Sequence, residues 1–341
     1  MNRILHTLVL AVFFVLLCTA AQGENAFDQT FQSGISAPVV LLDEEYVNRR
    51  DPSEKLSVCI TLKDADEDFL YLTIENRVST DIRVILSRCT VNGVRLDEFS
   101  EWIVPGNSMA DVRLRLAENA LRWMGAEQIE TLAFEEIRVL KADDENWEEI
   151  RIEKTDLTYE INPPTERPLQ GYPLWKSELG QLTLMGVDYD NFLSPYLMLR
   201  LDNNQPNISP DWLPNYSQPQ YMGVRISVAS VNGRIPGRSQ MEFSLPEMGS
   251  IIDHCAIKGF ELDNPQPGEQ NPVPVGEVKE ITLQISVTAN GMGNQPYEEV
   301  ITLRMDELQL PQYGDPYDWI GKTGLALRPE WEAYFESLRG Q

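Results

Sequence analysis

A Ser-His-Asp or Cys-His hydrolase needs an imidazole within hydrogen-bond reach of its nucleophile. The chain has two histidines, His6 and His254, and His6 lies in the apolar N-terminal stretch. His254 adjoins Cys255, but adjacent side chains point apart in strands and helices alike. Only Cys59 and Cys89, far away in the chain, remain as thiol partners, so this chemistry is disfavoured. The pair His254-Cys255 reads as a buried thiol beside a half-exposed imidazole in a linking turn. Zinc is poorly served, since its sites want several Cys or His ligands. Calcium takes oxygens, and Asp64, Asp66 and Asp68 alternate, as do Asp188 and Asp190. Neither run has the Gly and closing Glu of a calcium loop. Both read as solvated turns, and no metal or other cofactor is expected. With 53 acidic residues a carboxylate pair for glycoside hydrolysis can always be found, and nothing singles one out. Gly291-Met292-Gly293 lacks the Lys-Ser/Thr of a phosphate loop.

The positive candidate is a long insertion, Asn203 to Tyr221, rich in Pro and Asn and holding Trp212, Tyr216 and Tyr221. Long loops often carry function, and exposed rings stack on sugars or anchor protein partners. These three aromatics are the candidate ligand-binding residues. The competing reading is that Trp212 and Tyr221 plug the loop onto its own module. Asn207-Ile208-Ser209 and Asn215-Tyr216-Ser217 match the glycosylation sequon.

Residues 1–23 combine Arg3, an apolar run from Thr7 to Leu17 and an Ala21-Gln22-Gly23 ending, the pattern of a cleaved secretory signal peptide. An uncleaved anchor is the alternative. Without these residues the formal charge moves from −25 to −26, because Arg3 leaves and no acid does. So acidic a surface argues against nucleic acid, which is bound through Lys and Arg. The remaining cysteines are Cys59, Cys89 and Cys255. A Cys59–Cys89 bridge and two buried thiols both stand open.

Leu56, Val58, Ile60 and Leu62 alternate with Ser57, Cys59 and Thr61, the period of a half-buried strand. Phe69–Ile74, Ile82–Leu86 and Val112–Leu116 read likewise. Thr90-Val91-Asn92-Gly93 ends in a type I′ hairpin signal, and Ser230-Val231-Asn232-Gly233 states it again. Two more landmarks follow in the same order: Leu70–Asn76 with Tyr196–Asn203, and Trp147–Ile152 with Tyr297–Leu303. The chain is therefore expected to be all-β, two tandem immunoglobulin-like β-sandwich modules with a short C-terminal helix. Residues 24–161 form the first module, 162–174 a Pro-rich linker, 175–311 the second module and 312–341 an extension. An insertion near Asn264–Gly276 is expected as a surface loop. In the extension Trp331, Tyr334, Phe335 and Leu338 share one helical face, expected to pack on the second module.

The order of apolar strand, Glu-Asn or Asp-Asn, β-branched strand into Val-Asn-Gly, Pro-Gly turn and aromatic-acidic strand resembles uncharacterised secreted proteins of Gram-positive gut bacteria that carry tandem β-sandwich domains. The resemblance spans residues 39–305 and implies an extracellular or cell-envelope protein; it assigns no site residues. The expected function is non-enzymatic binding or adhesion, toward a carbohydrate or protein at the cell surface. A structural spacer of the envelope is the alternative, and a carboxylate-based glycoside hydrolase comes third.

Overall fold

The computed structural model describes residues 35–49, 51–66, 68–96, 99–116, 120–126, 128–142, 151–164, 171–190, 194–206, 220–245, 248–292 and 296–340. The chain is all-β with a few short helices. In the first half the strands are β1 (Val39–Val47), β2 (Lys55–Ala65), β3 (Phe69–Asn76), β4 (Ile82–Val91), β5 (Val94–Arg95), β6 (Phe99–Val104), β7 (Ser108–Arg115), β8 (Thr131–Lys141) and β9 (Arg151–Glu160). A short helix, α1 (Ala120–Trp123), precedes β8. The second half contains β10 (Tyr172–Ser177), β11 (Gly180–Asp188), β12 (Tyr196–Asn203), β13 (Met222–Val231), β14 (Gln240–Leu245), β15 (Gly249–Ala256), β16 (Glu280–Ala289) and β17 (Tyr297–Arg304). It ends with α2 (Met305–Leu308), β18 (Gln312–Tyr313) and α3 (Pro329–Arg339).

Both halves pair their strands in one order. The first packs β1-β2-β3-β7 over β6-β4-β8-β9, and the second packs β10-β11-β12-β15 over β14-β13-β16-β17. Each half has its own buried apolar cluster. The halves are joined edge to edge: β5 runs parallel to β15, Val94 beside Ser250 and Arg95 beside Ile251. That junction makes one ten-stranded open sheet from strands of both halves.

The two Asn-Gly pairs are tight turns. Asn92 and Gly93 have φ of 49° and 78°, and Asn232 and Gly233 of 49° and 74°, the positive values that a type I′ turn requires. The asparagine side chains bind the next strand in the same way. Asn92 Oδ1 accepts from the Glu130 and Thr131 amides, as Asn232 Oδ1 does from Lys279 and Glu280. Asn76 and Asn203, closing β3 and β12, are both 1% exposed and hold backbone groups of neighbouring turns.

β11 does not alternate and is buried almost throughout, and β12 is buried on both faces at Leu197–Leu199. One face looks into the second core, while Met185 and Met198, with Ile252 of β15, belong to the first cluster. A sheet covered on both sides reads as a continuous apolar run. Trp123 of α1 lies against it, 4.8 Å edge-to-face from Tyr313, with its Nε1 donating to Asp188 Oδ2 at 3.4 Å. Gly186 allows this approach. A Cβ there would sit 2.2 Å from Pro311 O and 2.7 Å from the Trp123 ring.

Several expectations need correction. His254-Cys255 is not in a turn but in strand β15, where His254 faces outward and Cys255 is fully buried. The Cys59–Cys89 bridge is not formed: Cys59 points outward from β2, near Thr61 Oγ1 at 3.7 Å, while Cys89 faces the core from the opposite sheet. One thiol lies outside its sheet and the other inside the core, so the two are not placed to bond. The aromatic-acidic landmark slips. Glu160 pairs with Thr131 and Arg304 with Glu280, so counting back along both strands puts Tyr297 at the place of Glu153, not Trp147. β10 begins within the segment expected as linker, and Val273–Gly276 of the expected surface loop is buried. The C-terminal helix packs on the second half, as expected. In α3 Trp331, Phe335 and Leu338 are buried, Trp331 stacks on Phe260 at 5.1 Å, and Arg234 lies over the Trp331 and Tyr334 rings.

Burial also sets thiol reactivity. Apolar surroundings, then the Asp253 charge, push the Cys255 thiol up to about 11, which suppresses the reactive thiolate. Titration of the native protein with a disulfide reagent is expected to modify Cys59 and leave Cys89 and Cys255 until denaturant is added. Rapid native modification of Cys255 would contradict this burial.

Candidate ligand-binding cleft

Of the three aromatics in the long insertion, Trp212 and Tyr216 lie outside the described residues. Tyr221 is 40% exposed, and its hydroxyl lies close over Gly223 at the start of β13. At His254, the ring faces Tyr196 at 4.1 Å between centroids and the Asp253 carboxylate at 3.5 Å. Neither supplies the Ser or Cys nucleophile of a hydrolase triad.

The aspartates expected in solvated turns are engaged locally. Asp66 accepts from the Asp68 and Phe69 amides at 2.9 and 2.8 Å and from the Tyr71 hydroxyl at 2.5 Å. Burial works to raise its carboxyl, but these hydrogen bonds outweigh it and hold the group below its ordinary value. Asp188, its positional counterpart, is not solvated: it is 3% exposed beside Trp123. Burial, assisted by the nearby Asp190 charge, raises it. Among the described residues no cluster of His, Cys, Asp and Glu is arranged to hold a metal ion.

A cleft of ≈ 340 Å³ opens where the halves meet. One wall is built by β4, β5, β8 and β9 and carries Arg88, Arg95, Glu135, Asp156 and Thr158. The other is the entry to β15, with Met248, Gly249 and Ser250. Two wall residues break their strands. Arg88 and Asp156 have φ of 52° and 54°; the left-handed value is an outlier for the bulky Arg88, costing about 1–3 kcal/mol, while Asp adopts it more readily. They flank Glu135 from the adjacent strands, and the ladder skips all three: Ser87 and Cys89 pair with Glu136 and Phe134, which pair in turn with Thr155 and Leu157. Arg88 Nη1 meets Glu135 Oε2 at 2.5 Å. Across the cleft Arg200 holds Ser250 Oγ at 3.1 Å, and Ser250 donates to Asp202.

The arrangement offers guanidinium donors, carboxylate acceptors and hydroxyls around a small volume, with the thioether of Met248, 62% exposed, at its mouth. Such a lining suits a polar ligand of about sugar size, since ligand sites typically run from about 300 Å³ upward. Sequence reasoning missed these residues. A left-handed Arg within a strand has no local sequence signal, and the opposite wall comes from a distant part of the chain.

No helix among the described residues is long and apolar enough to cross a membrane. No family model matches the chain, and no curated protein matches it. Solved structures with some similarity include procruciferin, an 11S globulin from Brassica napus, at 9% identity over 68% of this chain and 83% of that one, with a TM-score of 0.15. A deletion mutant of oxalate decarboxylase from Bacillus subtilis aligns at 9% identity over 84% and 80%, with a TM-score of 0.12. The coconut allergen cocosin aligns at 6% over 82% and 89%, with a TM-score of 0.10. Scores this low carry no argument about fold or function.

Proposed function

We propose that the chain is a non-enzymatic binding protein of the extracellular side, built of two copies of an immunoglobulin-like module, that holds a carbohydrate in the cleft between them. The reading rests on one observation: at this cleft both halves contribute polar side chains to a common volume, and the two strand-interrupting residues Arg88 and Asp156 stand in its wall. Strained backbone is kept where the surrounding structure over-determines it, which marks a site more often than a scaffold. The module class is supported by the pairing order. With β1 set aside, three strands over four, with β4 and β6 as a hairpin in the second sheet, is a Greek-key sandwich arrangement.

A glycan array followed by titration calorimetry tests the proposal. A carbohydrate ligand is expected to lose roughly tenfold or more in affinity on Arg88→Ala, which removes a charge-assisted donor. Lys176→Ala, outside the cleft, is the control. Binding that ignores Arg88 would sink the cleft assignment. The spacer reading has its own support in the edge-to-edge β5–β15 junction, and it predicts no glycan binding at all.

A further inference from the structure

Inside the chain, one sheet edge is closed by a strand taken from the other half. β5 lies parallel along β15, while Met185, Met198 and Ile252 of the second half are buried in the first cluster. β7 ends its sheet as β15 ends the corresponding one. The registers match residue by residue. The irregularity in the β2–β3 pairing falls at Lys63 and that in β11–β12 at Met185. Tyr71 then stands where Met198 stands, and Asp111 where Ile252 stands.

Among the described strands none pairs with the free edge of β7. A groove of ≈ 810 Å³ runs there, with Trp102 and Val112 supplying apolar surface and Lys63, Tyr71, Asp111 and Arg113 supplying the polar groups. We infer that this groove binds an extended acidic peptide of a partner protein, added as a strand parallel to β7 in the way that β5 is added to β15. Edge pairing supplies main-chain hydrogen bonds, and alternate side chains supply specificity.

The polar groups select the occupant. Tyr71 gives its hydroxyl to Asp66, and Asp111 accepts from Thr73 at 2.6 Å. Arg113 lies over the Phe69 ring at 4.8 Å. Among the described residues neither Lys63 nor Arg113 forms an ion pair, so two cationic groups face the groove on a chain of formal charge −25. A strand laid along β7 would turn every second side chain to the face of Asp111 and Arg113, with Lys63 two strands further in, and the others toward Trp102. Alternating acidic and apolar residues meet both demands. A second copy fits worse. The Met, Met and Ile that hold half against half are replaced here by Lys63, Tyr71 and Asp111, and Arg234, which follows the second hairpin as Val94 follows the first, is held against Trp331 and Tyr334.

The experiment is titration of the full chain with a synthetic peptide of about nine residues alternating Glu and Val, a typical strand length, alongside its Lys/Val counterpart. The Glu/Val peptide is expected to bind and to slow hydrogen exchange of amides within Met109–Arg113. The double variant Lys63→Glu/Arg113→Glu is expected to weaken it roughly tenfold or more, and Trp102→Ala to weaken it as well. Thermal melts establish that both variants are folded. Absence of binding, equal binding of the Lys/Val peptide, or exchange protection elsewhere would overturn the inference. So would sedimentation showing wild-type self-association that the double variant abolishes, since the face would then belong to a second copy.

Discussion

Asn203→Ala and Asn76→Ala are each expected to lower unfolding stability by about 3 kcal/mol, because a buried group left without its partner costs about 1–3 kcal/mol and each asparagine serves several. Asn76 Nδ2 lies 2.8 Å from Thr80 O, 3.1 Å from Val104 O and 3.0 Å from Pro105 O, while its Oδ1 accepts from the Val78 amide at 3.1 Å. Asn203 Nδ2 reaches Gln220 O at 2.6 Å and Leu245 O at 3.3 Å, and its Oδ1 accepts from Gln205. In each half the side chain ties the end of one sheet to the opposite sheet. Aspartate in place of either asparagine keeps the shape but loses the donors, so it is expected to destabilise as well. Urea denaturation of the single variants measures this. A loss below about 1 kcal/mol, within the range of an ordinary surface hydrogen bond, would mean that water replaces the asparagine.

Trp123→Ala is expected to cost about 3–5 kcal/mol, as large-to-small changes at buried aromatics do, and to loosen one half from the other. Trp123 is 1% exposed and meets Tyr313, Gly186 and Asp188 of the second half. Calorimetry is expected to split one transition into two. Retention of a single transition with unchanged midpoint would refute the role of this contact. Asp188 adds a pH dependence. Its carboxyl is raised in the fold from an ordinary value of 3.8 by burial first and the Asp190 charge next, so the folded state holds the proton more strongly than the unfolded state. Its contribution is fully present below the unfolded value and is lost as pH rises through the folded one. Asp188→Asn keeps an acceptor for Trp123 and removes that loss. The variant is expected to be more stable than wild type at neutral pH, with a flatter profile on the acid side, in denaturant melts across pH 3–7.

The legible parts of the fold were those written in local periods. Leu56–Leu62 alternates because one face of β2 is buried and the other is not, and Asn92-Gly93 turns because few other pairs tolerate two positive φ angles. The face of α3 was equally plain. β11 and the start of β12 lacked alternation because a sheet buried on both faces has none to show, and β15, lying between β12 and β5, hid His254 in a strand. The cleft was illegible for a further reason. Neither Arg88 nor Asp156 carries a composition or spacing that announces a left-handed conformation, which is imposed by the strands around it.

By itself, then, the chain determined its all-β character, its tight hairpins and the amphipathic face of its last helix, since each depends on neighbours a few residues apart. Only the tertiary structure decided which edges meet: Val94 beside Ser250, Trp123 against Gly186, β7 left open where β15 is closed. Those choices join residues far apart in sequence, and they are set by the burial of Met185, Met198 and Ile252 against the first half. Burial of this kind depends on shape and apolar area brought together from both halves, which no local period records.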